Sequence, residues 1–147
     1  MPYQPRVSVS QVIPAPVDDV WEAVRDFDSI DEWHPVIEDC TIDEGGSSSD
    51  VGAIRDFTAG DRTVREVLVA YSDVDRSYQY TMDEGFGGDK VDYLSELSLD
   101  PITEGDETLA TWWADYDVVE DGDLEAEAEH LQKVFGGGLG GIHDQFE

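Results

Sequence analysis

Arg6-Val7-Ser8-Val9-Ser10-Gln11-Val12-Ile13-Pro14-Ala15-Pro16-Val17-Asp18-Asp19-Val20-Trp21-Glu22-Ala23-Val24 changes its apolar period near the middle. Before Pro14, Val7 and Val9 alternate with Ser8 and Ser10, the two-residue period of a strand. After Pro16 the apolar residues fall at Val17, Val20, Trp21 and Val24, with Phe27 one turn on, which is one face of a helix. Asp18 and Asp19 occupy its first turn, where the helix dipole favours negative charge. Further on, Ser29-Ile30-Asp31-Glu32 reads as a capping box opening a second short helix. Trp33-His34-Pro35 ends that helix, because a residue before proline avoids the α region.

From Pro35 to about Val119 the pattern is that of strands, expected near residues 37–43, 53–57, 63–72, 77–82, 91–99 and 108–117. The connections at residues 45–50, 59–61, 73–75, 84–89 and 103–106 are short and polar, as the hairpins of a meander require. The last segment places Leu124, Ala128, Leu131 and Phe135 on one stripe, with Val134 beside them, so a helix is expected from Leu124. Gly136-Gly137-Gly138 and Gly140-Gly141 should weaken it by about 1 kcal/mol each relative to alanine, and fraying or bending is expected after Phe135. This order of elements predicts an α+β fold. A curved antiparallel sheet of about seven strands would wrap a long C-terminal helix, with two short helices after the first strand and residues 1–147 forming one domain.

The 147 residues include 36 Asp and Glu against 8 Lys and Arg, a formal net charge of -28. Disorder is the usual consequence of such acidity, but Trp21, Trp33, Trp112, Trp113 and six tyrosines recur inside patterned segments. Molar salt shortens the Debye length to roughly 3 Å and screens the self-repulsion, so the chain suits a salty cytoplasm. The same charge speaks against nucleic-acid and anionic-membrane partners, which need a basic face. Cys40 is the sole cysteine, no apolar run approaches a membrane span, and Met1-Pro2-Tyr3-Gln4-Pro5 lacks a signal-peptide core. A cytoplasmic location is expected, and the sequence leaves the oligomeric state open.

Arg55 and Glu66 carry the sharpest local inference. If Gly60-Asp61 is a hairpin tip, residues whose numbers sum to 121 lie opposite one another, and 55 and 66 do. Ala53, Arg55 and Phe57 then share a face with Val64, Glu66 and Leu68. Alternation alone leaves open whether that face is buried, because both faces of the second strand carry apolar residues. Tyr78, Tyr80 and Met82 share a face of their strand, as do Tyr93, Ser95, Leu97 and Leu99. His34 lies before a proline, His130 lies among Glu127 and Glu129 on the polar side of the last helix, and His143 is near the end. Their spacing matches no metal motif, and neither a nucleophile elbow nor a phosphate loop occurs, so no metal and no cofactor are expected.

Taken together, several pieces resemble the START-like (SRPBCC) superfamily and, within it, the polyketide cyclase/dehydrase group. They are Pro16-Val17-Asp18-Asp19-Val20-Trp21, Asp26-Phe27-Asp28-Ser29-Ile30-Asp31-Glu32-Trp33-His34-Pro35, Gly52-Ala53-Ile54-Arg55, Arg65-Glu66-Val67-Leu68 and Thr111-Trp112-Trp113. The excess of acid likewise resembles proteins of halophilic archaea. The resemblance implies the helix-grip fold, with a ligand cavity between sheet and C-terminal helix, and places Arg55 and Glu66 on its concave side. Arg55, Glu66, Tyr93 and Ser95 are also similar to pocket positions of the plant abscisic acid receptors, whose gate loop is replaced here by the short Thr58-Ala59-Gly60-Asp61. The family pattern favours Trp113 as the inward indole of its strand. The expected cavity wall is then Trp33, Arg55, Glu66, Tyr78, Tyr80, Tyr93, Ser95, Trp113, Leu131 and Phe135.

Three functions fit these residues. The first is binding of a small hydrophobic molecule, lipid, polyketide or isoprenoid-like, oriented by Arg55 and Glu66. The second is a cyclase or dehydrase in which Glu66, Arg55 and a tyrosine such as Tyr93 handle an enolate. The third is an interaction or chaperone-assisting module with a filled core and no small ligand.

Overall fold

The computed structural model describes residues 5–43, 46–83 and 89–147. The expected turn residues at 84–88, Gly45 and the segment Met1–Gln4 lie outside the described residues. The alternating first segment forms β1 (Val7–Ile13), and the change of period yields α1 (Val17–Val24), which buries Val20, Trp21 and Val24. α2 (Ile30–Trp33) follows without the expected capping box. An N-cap needs extended backbone, whereas Ser29 sits at φ -88°, ψ 0°, and its hydroxyl donates to the Asp26 carbonyl instead.

β2 (Ile37–Ile42), β3 (Ile54–Ala59), β4 (Arg62–Ser72), β5 (Ser77–Met82), β6 (Lys90–Ile102) and β7 (Glu107–Val118) form the meander. β1 pairs with β7, giving a seven-stranded antiparallel sheet in the order β1-β7-β6-β5-β4-β3-β2. Consequently α1 and α2 cross from one edge of the sheet to the other. The turn between β3 and β4 is tight because Gly60, at φ +63°, supplies the left-handed backbone that a two-residue hairpin demands. Ala59 then pairs with Arg62 and Arg55 with Glu66. Register shifts between Glu38 and Thr41 and between Val91 and Leu94 coincide with positive φ at Asp39 and Asp92, bulges of the kind that bend a sheet into a grip.

Asp123 caps α3 (Leu124–Gln145), its carboxylate accepting from the Ala126 amide. The helix runs unbroken through all five glycines to Gln145, so it does not fray after Phe135, which corrects that part of the expectation from propensity. The physical reason is close approach. A Cβ on Gly138 would stand 2.6 Å from Trp112 Cζ3 and 2.7 Å from His34 Cδ2, and one on Gly141 would overlap the Trp33 carbonyl oxygen. The two glycines, one turn apart, let α3 seat against the end of α2, and this packing outweighs the propensity cost.

Few of the carboxylates have cationic partners. Arg65 gathers Asp43, Asp56 and Asp83, while Arg25 pairs with Asp73 and Arg76 with Asp18. With a net charge of -28 the folded chain is expected to melt at least about 5 °C lower in tens of millimolar salt than in molar salt. Circular dichroism melts across that range test this, and a midpoint indifferent to salt would remove the salt-adapted reading.

Candidate functional site

Between the concave face of the sheet and α3 lies a pocket of about 570 Å³ free of protein atoms, its mouth included; only about 60 Å³ admits the centre of a water molecule. It is therefore a narrow slot, partly open to solvent. Phe57, Val64, Tyr80, Tyr93, Trp112, Leu131 and Phe135 are buried in its walls, and Ile30 and Ile37 close it beside α2. Exposed Val36, Arg62 and His130 border the mouth. The alternation in β3 to β7 sends these side chains inward because directly opposed residues share a face of the sheet.

Within this apolar setting Glu66 is the buried acid of the lining. Arg55, itself fully buried, lies behind it: Nε donates to Glu66 Oε1 at 2.9 Å, and Nη2 is 2.7 Å from the same oxygen. Nη1 donates to the Phe27 carbonyl at 2.8 Å, and the guanidinium carbon sits 4.0 Å from the Phe27 ring centre and 4.7 Å from that of Tyr80. Aromatic faces and a paired carboxylate thus compensate a charge removed from water. Burial tends to lower the Arg55 pKa, but Glu66 outweighs it and the net shift is upward. Burial pushes the Glu66 carboxyl above its ordinary value against the pull of Arg55.

The tyrosines form a ladder beside this pair. Tyr78 and Tyr80 lie 6.4 Å apart between ring centres, Tyr80 and Tyr93 6.2 Å. The Trp112 indole donates to the Tyr80 hydroxyl at 2.9 Å. Burial pushes Tyr78 up to about 12, Tyr80 further up and Tyr93 well above its ordinary value, so all three are neutral hydrogen-bonding groups at physiological pH. Ser95 is buried on the same face, its hydroxyl donating to the Trp113 carbonyl.

Of the residues expected in the wall, Glu66, Tyr80, Tyr93, Leu131 and Phe135 line the pocket. Arg55, Tyr78 and Ser95 are buried outside its lining, with Arg55 reaching the pocket through Glu66. Trp33 is buried against Trp112, 5.6 Å between ring centres, and outside the lining. The expectation for Trp113 is corrected: Trp112 is the inward indole, because it stands opposite inward-facing Leu97. Trp113 stands opposite Glu96 on the outer face and donates its indole N–H to that carboxylate. Glu127, expected on the polar side of the last helix, is instead buried and bound to Lys90 at 3.0 Å, tying α3 to β6 at the pocket. Apart from being one of only two lysines, Lys90 carries no sequence signal that it is buried.

His34 is a staple and lies outside the pocket lining. Nε2 lies 2.7 Å from the Val134 carbonyl of α3, while Nδ1 accepts from the Val36 amide, an arrangement that requires the neutral ring. Burial, with Arg55 nearby, lowers its pKa below the ordinary 6.5. A depressed folded pKa places the stabilisation above the unfolded value. Stability is therefore expected to be full above about pH 6.5 and to fall as pH drops below it, with exposed His130, also lowered by burial, acting in the same direction. Thermal melts should show this fall in the wild type and in His130→Gln, and much less of it in His34→Gln. An unchanged slope in His34→Gln would dismiss the staple.

Cys40 is half-buried, and burial pushes its thiol up to about 12, which disqualifies it as a nucleophile. Among the described residues His143, Asp144 and Glu147 have ligating atoms within 4.8 Å of one another, near the C-terminal end of α3 and outside the pocket lining. No described helix is long and apolar enough to cross a membrane.

Comparison with solved structures gives close matches over nearly the whole chain. A protein from Nitrosospira multiformis is 29% identical, with a TM-score of 0.82 over 96% of this chain and 95% of that one. The protein XoxI from Bacillus cereus is 25% identical, with a TM-score of 0.83 over 95% and 94%. Ara h 8.0201, at 18% identity and a TM-score of 0.74 over 95% and 94%, shares the helix-grip fold. None of the curated proteins matches. A family model described as polyketide cyclase / dehydrase and lipid transport matches residues 4–147, and over that span the chain belongs to this family, whose fold binds hydrophobic ligands.

Proposed function

We propose that this protein binds a small, mainly apolar molecule carrying a hydrogen-bond donor, held in the slot between the sheet and α3 with its donor on Glu66. The observation that carries the reading is one buried carboxylate, held by Arg55, in an otherwise largely apolar slot partly open to solvent. A ligand that left Glu66 without a donor would forfeit a charge-assisted hydrogen bond, so the pair selects for polarity as well as shape. Trp33, Tyr78 and Ser95 act in this reading as support for the lining residues, with Trp112 in the place expected for Trp113. The narrow bore means that a ligand parts the walls as it enters, which a pocket bounded by one helix permits. The acidic composition supports a salt-rich cytoplasm as the setting. Native mass spectrometry of protein purified from its own source should reveal a retained apolar ligand, and filling the slot with Leu131→Trp should release it. Protein that carries no ligand, and whose tryptophan fluorescence is indifferent to apolar probes, would sink the proposal.

Catalysis is the second reading. The upward shift of Glu66 moves it toward the range of a general base, and Tyr80 and Tyr93 offer neutral donors to an enolate.

A further inference from the structure

We propose that the ligand is an anionic amphiphile, a single apolar chain ending in a carboxylate or a similar head group, whose charge rests at the pocket mouth on Arg62. The inference rests on the binding reading above and deepens it. Of eight Lys and Arg side chains in the whole sequence, Arg62 and Lys90 line this one pocket together with His130, and Lys133 lies one turn beyond His130 on α3. In a chain with 36 acidic residues, cations are expected to be dispersed among carboxylates. Arg25, Arg65 and Arg76 follow that pattern, and Lys90 is bound by Glu127. Among the described residues Arg62, Lys133 and Arg6 have no carboxylate within ion-pair distance, and of these Arg6 lies away from the pocket and donates to the Tyr116 carbonyl. Arg62 is also exposed at the start of β4, beside the tight turn, so its fork of donors is free to take a carboxylate in two parallel hydrogen bonds.

The interior sets the orientation. Glu66 is buried and would repel a second carboxylate, so an anionic head is excluded from the inner end, where the ligand's neutral donor is accepted. The net charge of -28 repels anions at long range, but where salt shortens the Debye length to roughly 3 Å only contact pairs count. A cationic mouth works at that distance.

The test compares 8-hydroxyoctanoate with 1,8-octanediol, matched in chain and in the hydroxyl offered to Glu66 and differing in charge, by calorimetric titration at a salt concentration that keeps the chain folded. The hydroxy acid should bind about tenfold more tightly, and Arg62→Gln should bring it down to the level of the diol, with Lys133→Gln giving a smaller loss. Both sites are exposed, and circular dichroism verifies that the variants fold. Equal affinity of acid and alcohol in the wild type would overturn the anionic head while leaving the apolar-ligand reading in place. Failure of both to bind would overturn the apolar-ligand reading itself. Binding to vesicles of anionic lipid without uptake of the hydroxy acid would overturn the amphiphile in favour of a docking surface.

Discussion

Gly140→Ala is expected to raise the melting temperature, and Gly141→Ala, one residue on, to lower it sharply. Both glycines lie inside α3 and carry the same propensity penalty, so alanine should gain about 1 kcal/mol at either position if the helix were alone. At Gly140 a Cβ meets nothing within 4 Å, and the gain is realised. At Gly141 the same atom would overlap the Trp33 carbonyl oxygen and press on Pro35 Cδ at 3.1 Å. Those neighbours are backbone and a ring, and neither can rotate away. Relief requires lifting α3 from the end of α2, which also breaks the contact of His34 with the Val134 carbonyl and opens the slot beside Phe135. The cost is expected to be roughly 3 kcal/mol or more, the upper range for overpacking. Thermal melts of the two variants decide it: equal shifts would show that α3 is not pinned at Gly141.

Most of the architecture was legible because it depends on period and turn chemistry. The change from a two-residue to a helical repeat at Pro14-Ala15-Pro16 located β1 and α1, and the Gly60-Asp61 tip set the Arg55 to Glu66 register that is observed. The same counting, centred on Glu104-Gly105, pairs residues summing to 209 and so sets Trp112 opposite Leu97. The family pattern points instead to Trp113. The glycines of α3 were misread for a different reason. Propensity is local, whereas the close approach that Gly138 and Gly141 permit involves His34, Trp33 and Trp112, more than twenty residues away in sequence. Burial of Lys90 and Glu127 was illegible for the same kind of reason, since neither residue is apolar and their pairing spans β6 and α3.

Breaking the Arg55–Glu66 pair from its two sides is expected to give unequal results, and the inequality separates a buried pair from a surface one. Glu66→Met strands a guanidinium that cannot shed its proton, so the loss should be about 3 to 5 kcal/mol and nearly independent of pH. The flat faces of Phe27 and Tyr80 and the Phe27 carbonyl remain as partners, which favours the lower part of that range. Arg55→Met strands a carboxyl that can escape by taking up a proton. Burial already pushes Glu66 above its ordinary 4.5, and loss of Arg55 removes the chief opposing influence. A raised folded pKa means that stability is retained below the unfolded value and lost as pH rises toward the folded one. Arg55→Met should therefore melt closest to the wild type near pH 4.5 and fall progressively behind it at higher pH, while Glu66→Met stays behind throughout. Losses below about 1 kcal/mol in both variants would mean that the pair behaves as an exposed one, against its burial in the structure. Glu66→Gln then addresses chemistry, because it keeps an acceptor for Arg55 and loses the basic carboxylate. A carrier with this substitution binds its ligand with modest change, whereas an enzyme binds it and loses turnover by about 100-fold or more. Turnover equal to the wild type would leave Arg55 and Glu66 as the polar end of a binding slot, with no part in proton transfer.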